Sequence, residues 1–393
     1  MTALLEVSTH QNLCLWVDQI RIESEVNSRR MLTQFIDWIY ADSPCFGSDE
    51  FYRQCLTEIE LEHVAPQVLS ILRQNQKIDC VPKDFVEALQ HLYRKTAGQN
   101  LYIRFYQQQV FAALEQNGIY AIPLKGVVFA ERYFGSFTSR PTSDIDILVT
   151  RDTLTRAIEC LRLLGFTGPY EFNPIHFHCV MAKPIYPGGI VLYIELHWSL
   201  LHENTALPEW DRFWQNATSF EGYEYIKELT LQDTFYSICL HGANHKLESL
   251  KYLLDVAHLI YTRGTEIDFD RLLEVGKRDK TLRRVKAVLN IVYNEFPSLH
   301  QCKPLPYRIS NSKWLDRAVL NARVLTPDSW GLRFRVAKEW LWPMREVALW
   351  HLRSDPGVTS TNVYRRFYRQ RLIHLARTVY PSNKTSEENE LHV

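Results

Sequence analysis

The 393-residue sequence lacks several features that would assign it to common classes of protein. Its eight cysteines contain no Cys-x-x-Cys pair, which argues against a zinc knuckle or a dithiol redox motif. Its N-terminus has no basic segment followed by an apolar core, and no run of about 18 apolar residues occurs. The sequence therefore predicts neither a secretory signal nor a membrane span, and we expect a cytoplasmic protein with reduced thiols.

The chain also lacks an excess of charge of either sign. Its 45 basic residues balance 45 acidic ones, so no global field attracts nucleic acid, although a local patch could still do so. The hydrophobic content of 46% is ordinary for a globular protein. Because the length exceeds the usual single-core limit of roughly 250–300 residues, we expect more than one domain.

The most informative segment runs from Arg140 to Val149, where two carboxylates interrupt an apolar, β-branched stretch. On a strand, Asp144 and Asp146 point to one face, and the alternating isoleucines point to the other, where a core can bury them. Two carboxylates a few ångströms apart repel each other unless a cation or a shared proton relieves them. Since Mg²⁺ prefers carboxylate and water oxygens, the pair predicts a metal platform. A solvated acidic pair in a turn is the alternative.

A strand–turn–helix pattern precedes this segment. Residues 120–126 predict a short strand that ends in a glycine turn, and residues 127–134 predict a helix. Gly126 at a helix N-terminus would let a phosphate approach backbone N–H groups and the positive end of the helix dipole. Lys125 would add a point charge for the same phosphate. Gly135 follows the helix rather than a strand, so the turn at Lys125 is the preferred phosphate site.

Two later apolar runs, residues 176–185 and 190–198, predict strands joined by a Pro-Gly-Gly hairpin turn. In the second run Glu195 and His197 alternate with apolar residues, so both are expected on one face. Alternation alone does not decide whether Glu195 is a metal ligand or a solvent-facing strand residue, and it favours the two roles equally.

Two histidine pairs are possible ligand sets. His176 and His178 share a strand face, and a zinc site there would need a partner such as Glu195, so substrate contact or plain strand surface is preferred. His241 and His245 lie at i and i+4 on one predicted helix face, a spacing that can bind zinc. Capped or core-edge histidines explain the second pair equally well.

The remaining pattern is helical. Apolar residues at three-to-four spacing predict helices in residues 1–98, and a long helix is predicted from about Asn100 to Gln116. Residues 250–255 are predicted to continue the helix that carries the second histidine pair, and on this helix Lys251 and Asp255 predict an ion pair.

These motifs together resemble the polymerase-β-like nucleotidyltransferase superfamily and, more narrowly, an uncharacterised bacterial nucleotidyltransferase family. The resemblance rests on the Leu-Lys-Gly turn at 124–126, the Arg-Pro-x-Ser-Asp-Ile-Asp-Ile-Leu-Val segment from Arg140, and the Glu-Leu-His-Trp segment from Glu195. In the superfamily a Gly-Ser or Gly-Gly turn opens the first helix, and Lys125-Gly126 replaces it here. The resemblance implies an α+β fold: a small mixed polymerase-β-like nucleotidyltransferase sheet flanked by helices, with helical N-terminal and C-terminal regions.

The resemblance also implies a metal-dependent enzyme that moves a nucleoside monophosphate from an NTP to an acceptor. It assigns catalysis and the binding of one or two Mg²⁺ ions to Asp144, Asp146 and Glu195. It assigns nucleotide binding to Lys125, Gly126, Arg140 and Ser143, and substrate binding to His197, His241, His245 and Lys251. For Arg140 a structural ion pair is an equal alternative, and for His197 a structural role is nearly as favoured.

We expect a helical N-terminal region (1–98), a nucleotidyltransferase-like catalytic domain (99–205), a helical C-terminal domain (206–380) and a flexible tail (381–393). Members of the family often accompany peptide or polyketide biosynthesis, so a small-molecule or peptide acceptor is the first expectation. One alternative is a toxin-like or tRNA-modifying nucleotidyltransferase. Another is a non-catalytic binding or scaffold protein, or a repurposed fold with different chemistry.

Overall fold

The computed structural model describes residues 30–41, 47–168, 176–185, 189–202, 204–309, 313–321, 325–352, 359 and 361–379. Residues Ser24–Val336 form one compact unit, and the chain from Ala337 onward belongs to a second. The predicted tail, most of the predicted hairpin turn and two of the eight cysteines lie outside the described residues. The six described cysteines are free thiols. The predicted domain limits stay predictions.

Four helices precede the sheet in the first unit: α1 (Arg30–Tyr40), α2 (Asp49–Leu61), α3 (Ala65–Gln74) and α4 (Lys83–Gln116), with a short 3₁₀ turn at Ile78–Cys80. Helix α4 is 34 residues long and begins well before the predicted start at Asn100. Its early turns bury Phe85 and Leu89 one turn apart, which stabilises the extension. Gly98 inside it faces open space and costs the helix only about 1 kcal/mol relative to alanine.

The sheet has four strands, as the sequence predicted in each case: β1 (Ala121–Pro123), β2 (Asp144–Val149), β3 (His178–Pro184) and β4 (Val191–His197). Their spatial order is β1-β2-β4-β3. Strand β2 pairs antiparallel with β1 and parallel with β4, while β3 and β4 form an antiparallel pair. The fold is therefore α+β with a small mixed sheet, and helices α5 (Gly126–Phe134) and α6 (Leu154–Leu163) follow β1 and β2.

The two faces of the sheet differ in chemistry. Ile145 and Ile147 of β2 and Ile194 of β4 lie in one apolar cluster together with Val110 and Leu114 of α4. Because side chains alternate along a strand, burial of this face fixes the acidic residues on the other. A slip of one residue in register would turn the carboxylates into the apolar core.

Further helices follow the sheet: α7 (Asp211–Asn216), a two-stranded ribbon of β5 (Thr218–Ser219) and β6 (Lys227–Glu228), α8 (Leu231–Asn244), α9 (Leu250–Arg263), α10 (Phe269–Arg278), α11 (Leu282–Glu295), α12 (Leu299–Cys302), α13 (Lys313–Asn321), α14 (Trp330–Leu341), α15 (Arg345–His351) and α16 (Val363–Val379). Hydroxyl side chains cap α8 and α9, where Thr230 and Ser249 accept hydrogen bonds from first-turn backbone N–H groups. Among the described residues, no helix is long and apolar enough to cross a membrane.

Candidate active site

Three carboxylates converge on the polar face of the sheet. In the parallel pairing of β2 with β4, Asp146 is the direct partner of Glu195, and Asp144 lies one pleat away on the same face. Carboxylate oxygens of the three residues lie within 4.8 Å of one another. Asp146 is buried, while Asp144 and Glu195 are half-buried. The three side chains that the resemblance assigns to one metal site are therefore neighbours in the structure.

The three carboxylates do not share one electrostatic environment. Burial, together with the neighbouring charge of Asp146, raises the pKa of Asp144 to about 6. Burial acts in the same direction on Glu195, but a hydrogen bond from His197 and the charge of Lys125 outweigh it and lower its pKa to about 2. Glu195 is therefore firmly ionised at neutral pH and contributes negative charge to the cluster.

Lys125 lies within the carboxylate cluster, at the residue that precedes α5. Its Nζ is 3.1 Å from Asp146 Oδ1 and 3.4 Å from His241 Nδ1. Burial lowers the pKa of Lys125, but the charges of the three carboxylates outweigh burial and raise it. The lysine is therefore a fixed cation beside the acidic residues.

The predicted phosphate turn lies where the sequence places it. Gly126 is the first residue of α5 and has a φ of 75°, in the left-handed region that favours glycine. A Cβ on Gly126 would meet Thr142 Cγ2 at 3.5 Å and the Asp144 carbonyl oxygen at 3.7 Å, which is ordinary contact. The dihedral angle, rather than lack of space, therefore requires the glycine. Ser143 is exposed immediately before β2.

Arg140 forms a buried ion pair with Asp255 of α9. Its Nε and Nη2 donate to the two carboxylate oxygens at 2.8 and 2.7 Å, and Gln67 of α3 donates to Asp255 Oδ1 at 3.0 Å. The predicted ion pair between Lys251 and Asp255 is therefore wrong. A planar guanidinium satisfies both oxygens of a fully buried carboxylate, whereas an ammonium is a point charge. For Arg140, the structure shows the ion-pair alternative.

His197 bridges two of the three carboxylates. Its Nε2 is 3.0 Å from Asp146 Oδ1 and 3.2 Å from Glu195 Oε2, and the residue is buried. Burial lowers the pKa of His197, but the hydrogen bonds to Asp146 and Glu195 outweigh it and raise the pKa to about 9. The histidine thus holds the two acidic side chains in a fixed relation.

The other predicted substrate-binding residues lie on or next to α8 and α9, which are two separate helices, so the predicted continuous helix is wrong. The chain leaves α8 after Asn244, and Ser249 caps a new helix. The rings of His241 and His245 are 4.5 Å apart, and His245 stacks on Tyr252 at 4.7 Å. Burial, with the charge of Lys125, lowers the pKa of both histidines, in His245 to about 4, so both are neutral at pH 7. Burial and the charge of Arg140 lower the pKa of Lys251 to about 8.

Within the described part of the chain, three-ligand groups of potential metal-binding residues occur at two places. One is the carboxylate cluster, and the other consists of His178, Glu195 and His197. Neither group includes His176, His241 or His245.

Sequence reasoning missed three contributors: Tyr252, Gln67, and Asp255 in its role as the partner of Arg140. Arg140 and Asp255 are 115 residues apart. No local pattern in the sequence signals such a contact.

A family model described as an uncharacterised nucleotidyltransferase matches residues 50–294 of the chain. This range includes every candidate site residue described above, from Gln67 to Asp255. No curated protein and no solved structure is detectably similar to the chain.

Proposed function

Because the chain belongs to the uncharacterised nucleotidyltransferase family, we propose that this nucleotidyltransferase moves a nucleoside monophosphate from an NTP to its acceptor with the help of Mg²⁺. The observation that carries the proposal is the convergence of Asp144, Asp146 and Glu195 on one face of the sheet. The proposal includes a polymerase-β-like form for this sheet.

The donor set fits a hard divalent cation. All three residues offer carboxylate oxygens, the ligands that Mg²⁺ prefers. Asp146 Oδ2 is buried and has no hydrogen-bond partner among the described residues, so one oxygen is available without breaking a contact. One or two ions held by Asp144, Asp146 and Glu195 would neutralise charge that develops on the phosphates during transfer.

Residues of the turn and helix α5 would bind the triphosphate. Lys125 supplies a positive charge, and the left-handed Gly126 lets a phosphate approach the backbone at a helix N-terminus. Ser143 is exposed beside Asp144 and can donate a hydrogen bond to the nucleotide. Phosphoryl chemistry asks the protein mainly for such positioning and charge neutralisation.

Glu195 has two possible roles in this mechanism. It completes the metal site, or it accepts the proton of the acceptor hydroxyl, for which its low pKa makes it a weak base. The acceptor would lie on the side of His241, His245 and Lys251, with His197 orienting Glu195. Arg140 acts as a positioning residue, since its guanidinium is already engaged by Asp255.

We propose a small molecule or a peptide as the acceptor. The balanced formal charge supports this choice over nucleic acid, since it provides no attraction for a polyanion. Free thiols at the six described cysteines agree with a cytoplasmic location for the reaction.

The test uses label transfer from NTPs that carry ³²P at the α-phosphate. The full chain is incubated with each of the four NTPs, Mg²⁺ and a bacterial extract separated into small-molecule, peptide and RNA fractions. We expect label in the small-molecule or peptide fraction, and we expect Asp146→Asn to reduce transfer by roughly 10²-fold or more while the protein stays folded. Asp152→Asn, the same change at an exposed position after β2, is the matched control and should retain full activity.

Two results would contradict the proposal. Label that appears only in tRNA would favour the tRNA-modifying alternative. A fully active Asp144→Asn, Asp146→Asn double variant would remove the carboxylates from catalysis and leave a binding role as the better account.

A further inference from the structure

Imidazole groups gather beside the carboxylate cluster, on the outer pair of strands. His178 of β3 and His197 of β4 are direct partners in the antiparallel register. Side chains of directly opposed residues share one face, with Cβ atoms about 4.5–5.5 Å apart. The ring centroids of the two histidines are 4.9 Å apart, and Glu195 lies on the same face two residues before His197.

The carboxylate of Glu195 turns one oxygen toward each histidine. Its Oε1 is 3.8 Å from His178 Nε2, and its Oε2 is 3.2 Å from His197 Nε2. One ligand atom from each of the three residues lies within 4.8 Å of the others. Zinc–ligand bonds of 2.0–2.1 Å in a tetrahedron place neighbouring ligand atoms about 3.4 Å apart. Of the two distances from Glu195 to the histidines, 3.8 Å is slightly longer than this spacing and 3.2 Å is slightly shorter.

Ring packing holds the imidazole of His178 in place. His176 meets it edge-on at 4.3 Å, and the ring of Phe177 lies at 4.8 Å. The His178 side chain is 16% exposed, so part of it contacts solvent. The side chain is therefore ordered by its neighbours and remains accessible.

We propose that His178, Glu195 and His197 form a second metal site, which binds a divalent transition-metal ion of the zinc class. Two imidazole nitrogens and one carboxylate suit such an ion, whereas Mg²⁺ favours all-oxygen ligands. Three protein ligands match the number found in catalytic zinc sites, where the fourth position stays open. The site shares Glu195 with the carboxylate cluster but differs from it in donor chemistry. The ion would replace the proton that His197 Nε2 holds between Asp146 and Glu195, and this proton would be released on binding.

Calorimetric titration of the chelator-treated full chain with Zn²⁺, in the presence of excess Mg²⁺, tests the proposal. We expect one Zn²⁺ per chain to bind at a site that Mg²⁺ does not displace. His178→Ala should weaken Zn²⁺ binding by at least the roughly 10- to 100-fold loss typical for removal of an outer-shell partner. His91→Ala, at an exposed histidine of α4, is the matched control and should bind Zn²⁺ like the unmodified chain.

A second measurement separates this site from the carboxylate cluster and from the proposed activity. Asp144→Asn, which removes a carboxylate but none of the three ligands, should retain Zn²⁺ binding even though it impairs nucleotidyl transfer. Equal Zn²⁺ affinity of the unmodified chain and folded His178→Ala would overturn the proposal, as would full displacement by Mg²⁺.

If His178→Ala does not fold, visible absorption of Co²⁺ bound to the unmodified chain decides, because bands typical of all-oxygen ligation would exclude the histidines. Retained Zn²⁺ binding without any label transfer would contradict only the nucleotidyltransferase mechanism.

Discussion

Gly126 has a backbone conformation that favours glycine, and it also lies where we propose that a phosphate binds. Its left-handed φ of 75° places the start of α5 against the beginning of β2. Any side chain at this position is strained, so a loss of nucleotide affinity in a variant has two possible causes. A second glycine separates them, since Gly222 has a φ of 86° and open space around its missing Cβ.

We predict that Gly126→Ala and Gly222→Ala each lower the free energy of unfolding by about 1–2 kcal/mol, the cost of a left-handed conformation for a residue with a Cβ. Only Gly126→Ala should also weaken the binding of NTP with Mg²⁺, because only Gly126 lies at the helix N-terminus where we propose that a phosphate approaches the backbone. Chemical denaturation measures the first effect and calorimetry the second. Equal nucleotide affinities in the two variants would remove the turn from the binding site.

Single residues differ in how far the sequence predicts their surroundings. Alternation along a strand predicted the shared face of Asp144 and Asp146, because the period of two is a local property. For Glu195 alternation left two roles open, and the family resemblance joined it to the pair. Their convergence required only that the two strands be neighbours. The contact of Arg140 with Asp255 depends on the packing of a loop against a distant helix, and no local period encodes it.

At the scale of elements, the Arg140–Asp255 pair joins the loop before β2 to helix α9. Both side chains are almost completely buried, and Gln67 of α3 adds a third segment. A buried pair is costly to break from one side, because the remaining charge has no partner.

We predict that Arg140→Met lowers the free energy of unfolding by about 3–5 kcal/mol. The double variant Arg140→Met, Asp255→Leu should recover much of this loss, because no uncompensated charge remains. Urea denaturation of the two single variants and the double variant gives the coupling energy. A double variant that is stable but no longer binds NTP would indicate that Arg140 contacts the nucleotide directly, contrary to its proposed positioning role.

Element boundaries were predicted less well than element types. The strands and helix α5 came close to their observed limits because turns and alternation mark both ends. Helix α4 was predicted to begin at Asn100, yet it begins at Lys83. Its early turns are held by the burial of residues such as Phe85 against other helices, and that contribution is invisible to a local pattern.

At the scale of the whole first unit, His258 connects three helices. It lies on α9, its Nδ1 accepts from the Tyr40 hydroxyl of α1 at 2.5 Å, and its Nε2 donates to the Tyr133 carbonyl of α5 at 2.8 Å. Burial lowers the pKa of His258 from its ordinary 6.5 to about 4. The unfolded chain therefore binds an extra proton between these two pH values.

We predict that stability is complete with respect to this group above pH 6.5 and falls as the pH decreases toward 4, by about 3 kcal/mol in total. His258→Gln should be less stable at neutral pH but should lack this part of the pH dependence. The free energy of unfolding is measured between pH 7 and 4.5 for the unmodified chain, for His258→Gln and for His91→Gln, a control at an exposed site. Because the other buried histidines are the same in all three proteins, the comparison isolates the contribution of His258. Identical slopes for the unmodified chain and His258→Gln would contradict the assignment.

The positions of Lys125 and His197 bear on whether the chain folds before it binds a metal ion. Both lie against Asp146, so the protein brings its own counterions to the acidic face when the chain folds. Folding therefore does not have to wait for a metal ion, and loading of the proposed ion would be a separate and reversible step. Under the proposed mechanism, such a polypeptide would stay folded when a chelator removes the ion, and the supply of the ion would switch its activity.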